Sequence, residues 1–77
     1  MNITGDQLRH DLPRQIARTR ATLIADALAE GASTTEARLQ SDAAHRRVYK
    51  AWLREFADQN PRLATTARSI LKLEGVL

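Results

Sequence analysis

Residues 41–58 read SDAAHRRVYKAWLREFAD, a run of good helix formers with no glycine or proline. Apolar residues recur in it every four positions, as expected for one face of an amphipathic helix. All three aromatic side chains of the chain lie in this stretch. The predicted core face consists of Ala44, Val48, Trp52 and Phe56, flanked by Tyr49 and Leu53.

The opposite side of the same predicted helix is basic. It carries Arg46, Arg47, Lys50 and Arg54, and no acidic residue occurs between Ala43 and Arg54. This stretch therefore concentrates a charge of +4, although the whole 77-residue chain carries only +3. A solvated polar face is the ordinary explanation of such a pattern. The functional interpretation is a surface that contacts phosphates or an acidic protein partner.

The rest of the chain also favours helix, because alanine, leucine and arginine are abundant and valine and isoleucine are rare. Glycine and proline fall where helices begin or end. We predict an all-α fold with one domain over residues 1–77, a compact bundle of three to four helices. Their approximate bounds are 5–11, 13–30, 34–59 and 61–74, with a possible break near Ser41, where Ser41-Asp42 could cap a new helix.

The core is thin, because 13 of the apolar residues are alanine. A homodimer, or docking on another protein, is therefore a possible way to complete it. Arg20 lies inside a wide apolar arc of the second predicted helix. Either the aliphatic part of the Arg20 side chain packs while its guanidinium reaches water or a carboxylate, or Arg20 belongs to an interface with another molecule. The last helix is predicted to dock on the core or on a twin subunit through a face of Leu63, Ala67, Ile70, Leu71 and Leu73. Arg62, Arg68 and Lys72 on its other side are possible secondary contacts.

The sequence contains little that indicates catalysis. It has no cysteine, and the two histidines, His10 and His45, are 35 residues apart. His45 falls on the aromatic face, where a packed core residue is the expected role. No glycine-rich phosphate loop occurs, so we expect no cofactor, no metal and no enzymatic activity. No apolar run is long enough to span a membrane, and no leader-like segment follows Met1, so we expect a cytoplasmic protein.

Three quoted stretches resemble the helix-turn-helix of small phage and transposase DNA-binding domains. They are residues 31–37 (GASTTEA), 46–50 (RRVYK) and 52–55 (WLRE). In that family a glycine and a serine open the first helix, and an Arg-Arg-x-Val-Tyr-Arg-Trp type sequence forms the recognition helix. The family also has a glycine-containing turn, where this chain has Gln40, Ser41 and Asp42. Residues 34–59 are thus either two helices or one.

The resemblance implies that the helix from Ser41 lies in the major groove of DNA. Ala43, Arg46, Arg47 and Lys50 would then lie near base edges or phosphates, and Arg54 would contact the backbone. Arginine, which supplies 10 of the 12 basic residues, suits such contacts.

Three functions remain open. The first is a DNA-binding regulator of transcription that binds double-stranded DNA. The second is a small helical adaptor or inhibitor that binds an acidic protein surface. The third is a self-assembling structural protein.

Overall fold

The computed structural model describes residues 3–77, and over that range the chain is all-α, as predicted. Helix α1 spans Gly5–Ala29, and helix α2 spans Thr34–Gln59. A single 3-10 turn, Pro61–Leu63, leads into helix α3 at Ala64–Leu73. Residues 1 and 2 of the predicted domain lie outside the described residues.

Helix α1 is one continuous helix, so the predicted separation into helices 5–11 and 13–30 is wrong. Pro13 lies inside α1, where it removes one backbone donor and crowds the preceding turn at a cost of about 3 kcal/mol. Its neighbours Leu8, Leu12 and Ile16 are each at most 2% exposed. Only an unbroken helix places these three side chains on one buried face, and their burial offsets the cost of the proline.

Helix α2 is also continuous and passes through Ser41 without a turn. Of the two alternatives for residues 34–59, the single helix is therefore the one observed. The Ser41 hydroxyl donates to the Ala37 carbonyl at 2.7 Å and to the Arg38 carbonyl at 3.1 Å. Because these acceptors belong to the preceding turn of the same helix, Ser41 does not cap a new one.

The ends of the two long helices follow the capping signals in the sequence. The Thr4 hydroxyl accepts from the Gln7 amide at 3.1 Å, and the Gln7 side chain accepts from the Thr4 amide at 3.0 Å. Ser33 accepts from the Glu36 amide at 3.2 Å at the start of α2. Gly31 adopts φ +99°, a left-handed conformation that ends α1. The short connection joins α1 and α2 into an antiparallel helical hairpin.

The buried face of α2 differs by a rotation from the predicted one. The residues that face α1 are Ala37, Ser41, His45, Tyr49 and Leu53, all buried. Val48, assigned to the core face from its spacing, is 48% exposed, and Trp52 and Phe56 are only partly buried. The observed face is shifted by one residue from the predicted one, and its buried residues begin at Ala37, whereas the aromatic spacing covers only the second half of α2.

Helix α3 packs on both long helices beside the start of α1. Ala67, Ile70 and Leu71 are buried there, so the predicted docking of the last helix is confirmed. Leu73 is 88% exposed, contrary to its assignment to the docked face. Val76 takes the buried place instead, because Gly75 at φ +74° turns the chain back and Val76 donates to the Leu71 carbonyl at 2.9 Å.

The result is an elongated molecule of 42 × 21 × 19 Å. Among the described helices none combines the length and the apolar character needed to cross a membrane. The two long helices set the long dimension, and α2 has one side on α1 and the other side in solvent.

Candidate nucleic-acid interface

The four predicted contact residues Arg46, Arg47, Lys50 and Arg54 are all exposed on α2. We call these four residues the basic face. They lie on the side of α2 that points away from the buried residues His45, Tyr49 and Leu53. The structure thus brings together on one solvent-facing surface the four charges that the sequence pattern grouped.

Among residues 3–77 no carboxylate lies within ion-pair distance of the basic face. The close contacts of charged groups there join Arg9 to Asp6 and Arg20 to Asp42, and His10 Nδ1 lies 2.9 Å from Asp11 Oδ1. None of them includes a residue of the basic face. A surface with four unpaired cations attracts polyanions more strongly than the net charge of the chain indicates.

The buried side of α2 holds this helix in a fixed rotation. Four rings follow one another along it, beginning with His45 edge-on to Tyr49 at 4.9 Å between ring centroids. Tyr49 meets Trp52 at 5.9 Å, and Trp52 stacks on Phe56 at 4.7 Å. The Tyr49 hydroxyl also lies 3.3 Å from the Thr19 hydroxyl of α1. The three ring contacts are internal to α2. The Tyr49–Thr19 contact and the burial of His45, Tyr49 and Leu53 are what fix the rotation that turns the basic face outward.

His45 is fully buried, as predicted for a packed core histidine. Neither of its ring nitrogens has a hydrogen-bond partner among residues 3–77. Burial lowers the pKa of His45 below the usual 6.5, and the positive charge of Arg20 lowers it further. The Ile16 backbone and the Asp42 carboxylate act in the opposite direction without cancelling these effects. His45 is therefore neutral in the folded protein at physiological pH.

Arg20 connects the two long helices. Its Nε lies 3.9 Å from Oδ1 of Asp42, a distance for an ion pair but too long for a hydrogen bond. The Nε atom is itself buried and has no hydrogen-bond partner in the part of the chain that the structure describes. The guanidinium therefore reaches a carboxylate from a partly packed stem, which is the first of the two roles predicted for Arg20. Its role in an interface stays a prediction.

The three secondary candidates are exposed but lie on other elements than the basic face. Arg62 belongs to the 3-10 turn, where it lines a shallow pocket with Ile3 and Leu63. Arg68 and Lys72 are four residues apart on α3 and thus share one face of that helix.

Sequence reasoning did not single out Arg38, which the structure places on α2 in one row with Asp42 and Arg46. These three residues line one open pocket together with Arg20 of α1. The spacing of four residues between Arg38, Asp42 and Arg46 is the signal that the sequence offers. This spacing does not show where α3 ends, and it is the end of α3 that leaves this side of α2 uncovered.

The described residues contain no group of three or more His, Asp or Glu that is placed to hold a metal ion. Comparison of the chain with protein-family models, with curated proteins and with solved structures gives no match. The candidate site is therefore argued from the residues of this chain alone.

Proposed function

We propose that the protein is a non-enzymatic DNA-binding protein that contacts double-stranded DNA through the basic face of α2. The observation that carries this proposal is the set of four exposed, unpaired cations on the outer side of a helix whose inner side is locked. The same proposal includes a role in the regulation of transcription in the cytoplasm, which accords with duplex binding.

The shape of the outer side of α2 suits contact with a duplex. Ala43, one turn before Arg46, and Ala51, between Lys50 and Arg54, are exposed, and their short side chains let the helix backbone approach closely. Arg46, Lys50 and Arg54 follow at intervals of four residues, about 6 Å along the helix axis. Arginine can bind phosphate or guanine with two parallel hydrogen bonds, whereas lysine supplies a point charge.

The proposal keeps the contact residues that the resemblance implied but changes the element that presents them. A single helix of 26 residues, rather than the second helix of a helix-turn-helix, would lie against the duplex. Arg46, Arg47 and Lys50 would lie near base edges or phosphates, and Arg54 would contact the backbone. Arg68 and Lys72 on α3 are candidates for additional phosphate contacts.

The test is the salt dependence of binding to a fluorescent duplex of random sequence. If the four basic residues each neutralise one phosphate, the logarithm of the association constant falls with the logarithm of salt with a slope of about −3.6. We expect the double variant Arg47→Glu and Lys50→Glu to lose binding at least tenfold at low salt. Fluorescence anisotropy at several salt concentrations measures both quantities.

The matched control is the double variant Arg14→Glu and Arg18→Glu on α1. It changes the total charge by the same amount at two exposed positions of another helix. If both double variants weaken binding equally, the attraction is that of the whole molecule and the basic face is not the site. Absence of duplex binding at low salt would refute the proposal.

A further inference from the structure

Helix α3 fills only one end of the groove between α1 and α2. It has 10 residues, against 25 and 26 in the two long helices. At 1.5 Å per residue it covers about 15 Å of a hairpin almost 40 Å long. Beyond Gly75 the groove continues as an open pocket of about 290 Å³. This open groove is lined by Arg20, Ile24, Arg38, Asp42, Arg46, Glu74 and Gly75.

The α1 side of the open groove is formed by Arg20 and the apolar Ile24, which is only partly buried. Leu28 lies one turn beyond Ile24 on the same face of α1 and is 44% exposed. At the other end of the hairpin a helix, α3, occupies the same groove. Ile24 and Leu28 therefore offer a second helix a strip of apolar surface beside Arg20.

The α2 side of the open groove is basic. Arg38, Asp42 and Arg46 form a row along it, and Asp42 faces Arg20 across the groove at 3.9 Å. Arg38 and Arg46 have no ion-pair partner among residues 3–77. Glu74, at the end of α3, is the other acidic residue of the lining. With three arginines against two carboxylates, the groove favours an occupant that brings negative charge.

We propose that the open groove docks an amphipathic helix of a partner protein, with acidic side chains beside its apolar face. The apolar side would cover Ile24 and Leu28, and the acidic flank would pair with Arg38 and Arg46. A second copy of this chain fits less well, because the chain carries a net charge of +3 and so brings more basic than acidic side chains to a basic groove. The open groove shares only Arg46 with the basic face.

The experiment uses two dye-labelled synthetic helical peptides with the same leucine face, one flanked by glutamates and the other by lysines. We expect the full chain to bind the glutamate peptide and not the lysine peptide in fluorescence anisotropy. Leu28→Glu and Arg38→Glu should each weaken binding of the glutamate peptide at least tenfold. Both side chains are already exposed, so both variants retain the fold, which circular dichroism checks.

The matched controls make the same chemical changes outside the groove. Leu73→Glu and Arg68→Glu lie on exposed parts of α3 and should leave peptide affinity unchanged. The proposal is overturned if these controls weaken binding as much, if the two peptides bind equally, or if neither binds at about 1 mM. A dimer in sedimentation that Leu28→Glu dissolves would also overturn it, in favour of a second copy. Duplex affinity of Leu28→Glu should equal that of the unaltered chain, which separates this test from that of DNA binding.

Discussion

Where α1 begins, three helices meet, and nine side chains form a common buried cluster that includes Leu12, Ile16, Tyr49 and Leu71. Around the connection at residues 30–33 the hairpin consists of α1 and α2 alone, and its buried apolar side chains are the small Ala27 and Ala37. Large apolar side chains there, Leu28 and Leu39, are instead exposed. The same two helices thus form a filled core at one end and a narrow two-helix tip at the other.

This difference indicates where stability and binding reside. Burial of large apolar side chains supplies most of the free energy of folding, so the three-helix end carries the fold. The tip contributes less, but it leaves helix surface uncovered, including the open groove. The basic face runs from the middle of α2 into the half of α2 that packs on α3. The buried cluster holds α2 most firmly in that half.

The largest expected loss of stability comes from truncating a leucine at the three-helix end, compared with truncating an isoleucine near the tip. Leu12 is 1% exposed, so Leu12→Ala should lower the free energy of unfolding by about 2–5 kcal/mol. Ile24 is only partly buried, so Ile24→Ala should cost less than about 1.5 kcal/mol. Urea denaturation followed by circular dichroism measures both. Equal losses would show that the tip is packed as well as the three-helix end.

An intermediate effect is expected from enlarging the small residue that lets the helices approach at the tip. Ala37 is 0% exposed, and Ala37→Leu should destabilise the fold by about 1–3 kcal/mol because the helices must separate to accommodate it. Ala43→Leu makes the same change on the exposed side of α2 and should be nearly neutral. Thermal unfolding of both variants tests this, and a neutral Ala37→Leu would mean that the tip is loosely packed.

The smallest expected change in stability follows acidification. It depends on His45, which is buried between the two ends of the hairpin. Because the pKa of His45 is lowered on folding, the unfolded chain takes up its proton first as the pH falls through 6.5. Stability is therefore fully present above that pH and declines below it, by at most about 1.4 kcal/mol per pH unit. Urea denaturation between pH 7 and pH 5 measures this. In His45→Leu this part of the pH dependence should vanish, and persistence of the full slope would contradict it.

Local signals in the sequence predicted local structure well. Thr4 with Gln7 and Ser33 with Glu36 begin helices, and Gly31 ends one, because the effect of such residues depends on neighbours within a few positions. The basic face was also predicted residue by residue. Its four residues are exposed, as a charged side opposite an aromatic side is expected to be.

Signals that depend on tertiary contacts misled the prediction or were absent from it. Pro13 ordinarily interrupts a helix, but burial of Leu12 and Ile16 outweighs it here. Val48 and Leu73 have core-like spacing yet are 48% and 88% exposed. The open groove depends on the lengths of α1 and α2 relative to α3, so no single stretch of sequence indicates it.

The stack of rings on α2 also gives the molecule an internal optical reporter. Trp52 is its single tryptophan, it stacks on Phe56, and it lies on the same helix as Lys50 but on the other side. Its emission therefore monitors the junction of the helices without any attached dye. A ligand on the outer side of α2 that leaves the core intact does not touch this indole, whereas separation of the helices exposes it to water. A change in Trp52 emission therefore indicates that the helices have separated, whereas binding to the outer side of α2 alone leaves that emission unchanged.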